Sequence, residues 1–288
     1  MPYVYLISSI FLIASSSIFG AFYNRKNINS KRATELYNAL LLGCVALFWT
    51  ALFLFDKTLD WAVVPYSILF AFCYALCNIG LIEALKTGGV ALTSLIFQLS
   101  LIGVSAWGFF FWDAPFTLIV AIGLILVGIA LWLCLYPGKK QESKFSWKWL
   151  GYVSMAFIGN AGCSIVQKTQ QMTFKGQYGN FFMMLAVGMA AIMCIVIYCK
   201  GDKTEFAQTV KSSWYFPITA GICNAFLNLF VIILATSALS PSLIYPTLAI
   251  GSLALTTFFS AFVFHEKMHW WQWIGVFVGI VAVALLSI

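Results

Sequence analysis

Residues 118–135 read Leu-Ile-Val-Ala-Ile-Gly-Leu-Ile-Leu-Val-Gly-Ile-Ala-Leu-Trp-Leu-Cys-Leu. The run contains no charge, no proline and no alternation of polar with apolar residues. A transmembrane β-strand needs about ten residues that alternate polar and apolar. A membrane-crossing helix needs about 20 consecutive, mostly apolar residues. The stretch therefore predicts a transmembrane helix, and with it an all-α membrane protein.

The rest of the chain repeats the pattern. Ten segments qualify, at approximately 3–23, 33–55, 61–84, 89–111, 115–136, 148–168, 178–199, 213–236, 241–264 and 270–288. The connections are too short to form separate domains. Composition agrees, with 62% hydrophobic and 9% charged residues among 288 and a mean hydropathy of +0.95. A soluble domain carries roughly a quarter of its residues as charges. Nine acids and sixteen bases exclude a cytosolic enzyme, a disordered chain, a coiled coil and a nucleic-acid reader. The net charge of +7 does not restore the last class, because the bases fall singly or in short clusters between apolar runs. The first segment reads as a membrane helix rather than a cleaved signal, since Arg25 and Lys26 follow it and no base precedes it.

The eight cysteines lie in or beside apolar runs and form no C-x-x-C pair. They read as reduced packing residues. Trp61, Trp112, Trp147, Trp149, Trp214, Trp270, Trp271 and Trp273 fall at segment ends, as an interfacial belt would place them. Trp49 and Trp107 lie deeper.

Loop charges give an orientation. Odd-numbered loops hold thirteen Lys and Arg, and even-numbered loops hold Lys57, Lys168 and Lys175. The bias predicts cytoplasmic odd loops and both termini outside.

The basic connector 139–147 separates a first five-helix half, 1–138, from a second, 148–288. At an offset of 152, Pro65 meets Pro217, Ser100 meets Ser252 and Gly123 meets Gly275. Five helices per half invert the second half in the membrane. Two inverted five-helix repeats are an architecture of secondary transporters, with a midplane site between the halves. Pro65 and Pro217 are candidate bending points.

Each half carries a further signature. The first reads Ala84-Leu85-Lys86-Thr87, then Phe111-Trp112-Asp113-Ala114, then Gly123. The second reads Ala238-Leu239-Ser240-Pro241, Tyr245-Pro246, Phe264-His265-Glu266-Lys267, then Gln272 and Gly275. This pattern resembles the drug/metabolite transporter superfamily, in its ten-helix EamA-type branch. The resemblance implies alternating access around a central cavity lined by helices 1, 3, 4, 6, 8 and 9, with export the commoner direction. It departs from the pattern at Ala114, where the family has a Glu. Serine-leucine pairs also stand where mid-helix prolines are frequent. The family commonly has cytoplasmic termini, against the charge count retained here.

Polar residues at membrane depth usually face a bundle interior or a cavity. Four pairs sit four residues apart, on one helix face each: Tyr74 with Asn78, Ser94 with Gln98, Asn160 with Ser164, and Asn224 with Asn228. With Trp49, Trp107 and Tyr245 they form the candidate substrate cavity, suited to a small polar or amphipathic solute. The alternative for each pair is hydrogen bonding between packed helices. Glu83 reads as a coupling group or as an interfacial residue near Lys86. Lys168 reads as an attractor of anionic groups at the cavity mouth, or as a lysine snorkelling to the interface.

His265-Glu266-Lys267-Met268-His269 satisfies H-E-x-x-H, which on a helix supplies two zinc ligands and a general base. A catalytic zinc needs a third protein ligand. The chain has two histidines, and no acid follows Glu266. The preferred reading has Glu266 capping or salt-bridging the turn. An intramembrane zinc enzyme is one alternative, and a non-transporting scaffold or receptor is another. Gly275-x-x-x-Gly279 permits close helix approach, within a monomer or between two copies. No Walker loop, Rossmann fingerprint or G-x-S-x-G elbow appears. The expected protein is thus a transporter in the cytoplasmic membrane, without enzyme activity, metal, cofactor or nucleic-acid partner.

Overall fold

The computed structural model describes residues 2–26, 33–87, 90–135, 146–200, 213–263 and 269–286. Among them are ten α-helices: α1 (Pro2–Lys26), α2 (Ala33–Asp56), α3 (Val64–Thr87), α4 (Val90–Phe111), α5 (Leu118–Leu135), α6 (Trp147–Thr173), α7 (Gly179–Cys199), α8 (Tyr215–Ala235), α9 (Pro241–Val263) and α10 (Trp270–Leu286). They match the ten predicted segments in order. The connector 139–145 and Glu266 lie outside the described residues.

Six helices, α1, α2, α3, α6, α7 and α8, are long and apolar enough to cross a membrane. The other four carry apolar stretches of 10–17 residues. The chain is thus an all-α protein built for a multi-pass membrane location.

Helix starts follow from local chemistry. Asp60 accepts from the Ala62 N–H at 2.9 Å and caps the 3-10 turn that leads into α3. Ser146 Oγ accepts from the Lys148 N–H at the start of α6. Thr117 Oγ1 accepts from the Val120 N–H before α5. Ahead of α10, the His269 N–H donates to Gln272 Oε1 at 2.9 Å, half of a capping box.

The chain packs as two compact units. One comprises Tyr3–Ala75 with Val166–Thr236, and the other Leu76–Ile165 with Ser237–Ile288. The units thus draw on both sequence halves, and α3 and α6 contribute a segment to each.

In the first unit α2 packs on α7 and α8. Phe53 near the end of α2 meets Phe181 near the start of α7, with ring centroids 5.3 Å apart, so these helices run antiparallel. Gly221 of α8 lies against α2, where an added Cβ would come within 2.9 Å of Cys44 Cβ.

In the second unit α5 packs on α10 and α4 on α9. Gly123 faces Ala282 and Leu286, while Gly279 faces Ala130 and Ile250. Rising numbers on α5 meet falling numbers on α10, so the pair is antiparallel. The apolar core there joins Val127, Ala130, Leu131, Leu243, Ile250, Leu253, Ala282 and Leu286. Gly275 and Gly279 are both buried within this chain. On α3, Gly80 abuts the α6 backbone, and a Cβ at that position would lie 2.6 Å from the Ala156 nitrogen.

Trp149 corrects the belt expectation. It is buried beside Ala84 and Val153, and its Nε1 donates to Thr93 Oγ1 at 2.9 Å. A segment end at 148 suggests the interface; the packing of α3 and α4 against α6 buries the ring instead.

Candidate functional site

The second unit gathers polar side chains from three helices. Asn160 on α6 donates from Nδ2 to Ser100 Oγ on α4 at 2.7 Å. Ser100 in turn donates to the Phe97 carbonyl at 2.6 Å. One α6 turn further on, the Ser164 carbonyl accepts from the Tyr245 hydroxyl of α9 at 3.5 Å. Tyr245 is 2% exposed. Ser105 donates to the Pro241 carbonyl at 3.2 Å, which fixes the start of α9 against the end of α4. Asn78, Glu83 and Gln98 are half-buried in the same unit, while the Ser94 side chain lies outside the described ones. Trp107 is 39% exposed and stacks on exposed Phe111 at 4.0 Å.

Pro246 inside α9 escaped the sequence reading as a feature of this site. A proline there withholds the N–H that the Ser242 carbonyl would accept. Residues 241–250 of α9 are buried without exception, and Thr247 Oγ1 has no hydrogen-bond partner among the described residues. By contrast, Pro65 and Pro217 lie in the first turns of α3 and α8, where a proline removes no intrahelical bond.

The first unit holds the other candidates. Asn228 donates from Nδ2 to both the carbonyl and Oδ1 of Asn224, each at 2.8 Å. The Asn228 amide is thus tied back to Asn224 along α8 rather than to another helix. Tyr74 stacks on Phe70 at 5.8 Å. Trp49 is 0% exposed, and its Nε1 has no hydrogen-bond partner among the described residues.

Lys168 does not snorkel. Helix α6 continues to Thr173, and the lysine is 5% exposed. Its Nζ donates to the Ala235 carbonyl at the end of α8 at 3.1 Å. Gln167, Gln170 and Gln171 are buried beside it in sequence. Gln167 Nε2 contacts Met183 Sδ at 3.9 Å, and Gln170 donates to the Gln177 carbonyl at 3.3 Å. This cluster was missed because the five polar residues 167–171 read as a helix end.

His265 lies outside the described residues with Glu266. Among the described residues no three His, Cys, Asp or Glu side chains come together as a metal site. Among the described residues the structure supplies amides, hydroxyls, indoles and a buried ammonium, groups suited to hydrogen bonding.

No family model and no curated protein matches the chain. One solved structure, described only as "Crystal structure of protein", is similar with a TM-score of 0.75. Its sequence is 14% identical, and the match covers 99% of this chain and 96% of that one. That similarity establishes a shared fold over essentially the whole length.

Proposed function

We propose that this chain is a secondary transporter that moves a small organic solute across the cytoplasmic membrane by alternating access. In this reading all ten helices span the bilayer as two inverted five-helix repeats of the EamA-type drug/metabolite transporter kind. The observation that carries it is the polar cluster in which half-buried Asn160 and Ser164 of α6 meet buried Ser100 of α4 and Tyr245 of α9. Polar groups at membrane depth mark solute pathways when they converge from several helices. Helices α4 and α6 also belong to opposite sequence halves, as a site between repeats requires.

Two features support the repeat. Helices of equal rank in the two halves pack together: α2 on α7, α4 on α9 and α5 on α10. The α5–α10 pair is antiparallel, as repeats related by a two-fold axis in the membrane plane would be. Pro246 supports movement, because an interrupted hydrogen-bond ladder gives α9 a place to bend. The driving force is the solute's own gradient or an ion gradient. Solute flux into proteoliposomes tests the reading; saturable uptake supports it.

A further inference from the structure

Ser100 and Ser252 are mates in the offset of 152 that relates the two sequence halves, and so are Phe97 and Ala249. The structure gives both serines the same bond. Ser100 Oγ donates to the Phe97 carbonyl at 2.6 Å, and Ser252 Oγ donates to the Ala249 carbonyl at 3.2 Å. Each hydroxyl turns back on its own helix, to the carbonyl three residues earlier. Ser9, Ser17, Ser67 and Ser105 instead use the carbonyl four residues back. Both mates lie near the middle of their helices, α4 (Val90–Phe111) and α9 (Pro241–Val263), and both are buried. The two helices pack on each other in the second unit.

In an α-helix the Phe97 and Ala249 carbonyls are also the ladder acceptors for the Leu101 and Leu253 N–H groups. A hydroxyl that shares such a carbonyl weakens the ladder bond and bends the helix there. In a membrane interior no water competes for the hydroxyl, so the back-bond persists. The two points carry different loads. Ser100 also accepts from Asn160 of α6, which ties that point to a third helix. Ser252 has no second hydrogen bond among the described residues. We propose that α4 and α9 carry serine flexures at mated positions, and that α9 bends at Ser252, beyond Pro246, during turnover. The inference rests on the transporter reading and locates a moving joint within it.

Ser252 decides the test, because Ser100→Ala would also strip Asn160 of its acceptor. Ser252→Ala removes the hydroxyl and firms the helix, whereas Ser252→Gly removes the same hydroxyl and leaves the helix soft. The full-length proteins are reconstituted and followed by uptake of a panel of radiolabelled organic solutes. Amide hydrogen exchange is measured on peptides spanning residues 249–256. In Ser252→Ala, exchange there should slow about threefold and the maximal uptake rate should fall about threefold or more, at an unchanged half-saturation concentration. Ser252→Gly should keep wild-type uptake, with exchange at least as fast. A hydroxyl that touched the solute would be missed equally in both variants. The proposal is therefore overturned if alanine and glycine alter transport alike, or if Ser252→Ala exchanges and transports as the wild type does. Should Ser252→Gly fail to fold, Ser252→Thr keeps the hydroxyl and should match the wild type, and the unchanged half-saturation of Ser252→Ala then separates a joint from a solute contact. Slowed exchange in Ser252→Ala, in folded protein that carries no solute, would keep the joint and overturn the transporter reading. Saturable flux that is equal in wild type and Ser252→Ala would do the reverse.

Discussion

Asn160 on α6 and Ser100 on α4 are joined by a 2.7 Å hydrogen bond across 60 residues of sequence. The serine hydroxyl donates its own hydrogen bond to the Phe97 carbonyl and so accepts from the amide, which holds Asn160 in one orientation. Interhelical bonds of this kind contribute about 0.6 kcal/mol on average in membranes. Asn160→Ala should therefore lower thermal stability slightly while reducing solute transport about tenfold or more, by analogy with loss of a buried solute contact. Unfolding temperature and initial uptake rate, measured on the same preparation, separate the two effects.

Tyr245→Phe removes only the hydroxyl that donates to the Ser164 carbonyl. The ring keeps its packing in α9, so folding should survive, with a loss of about 0.5–1.5 kcal/mol. The half-saturation concentration for transport should rise. An unchanged transport profile would remove Tyr245 from the site.

Gly80 is required by the approach of α3 to α6. An alanine Cβ would press into the Ala156 nitrogen and the Tyr152 carbonyl, at 2.6 and 2.7 Å. Backbone cannot give way as a flexible side chain can. Gly80→Ala should destabilise the protein by about 1–3 kcal/mol, and Gly80→Val by more. Gly43 and Gly128, with nothing within 4 Å of an added Cβ, should accept alanine without loss. Unfolding temperatures in detergent check all three.

Pro246→Ala restores an N–H to α9 and with it a donor for the Ser242 carbonyl. Proline in a helix interior is disfavoured by about 3 kcal/mol against alanine. The variant should be more thermostable yet slower in turnover, since the bending point is gone. Equal gains in stability and turnover would show that α9 does not need to bend.

The helices were legible because a lipid environment demands long apolar runs. Leu118–Leu135 has no other reading, and α5 covers that stretch. Part of the site was legible for a similar reason. Asn160 with Ser164 announces one face of α6, and the structure brings both to other helices. The four-residue rule could not separate them from Asn224 and Asn228, which have the same spacing but bond to each other. Ser100 was noted only for its place in the repeat, since its value as an acceptor depends on which helix packs opposite. Lys168 was misplaced for an electrostatic reason. A lysine near a segment end normally extends to water, but this one is buried and donates to the Ala235 carbonyl at the end of α8. Trp149 was misjudged likewise, because its Thr93 partner lies 56 residues away.

Transport itself is the central claim, and flux measures it most directly. Purified protein in sealed proteoliposomes is given a broad panel of radiolabelled organic solutes, with empty liposomes and Asn160→Ala as controls. The account predicts saturable uptake of at least one solute, accelerated by the same unlabelled solute inside the vesicle and greatly reduced in Asn160→Ala. No uptake above empty liposomes for any solute, from protein that is folded and inserted, would contradict it.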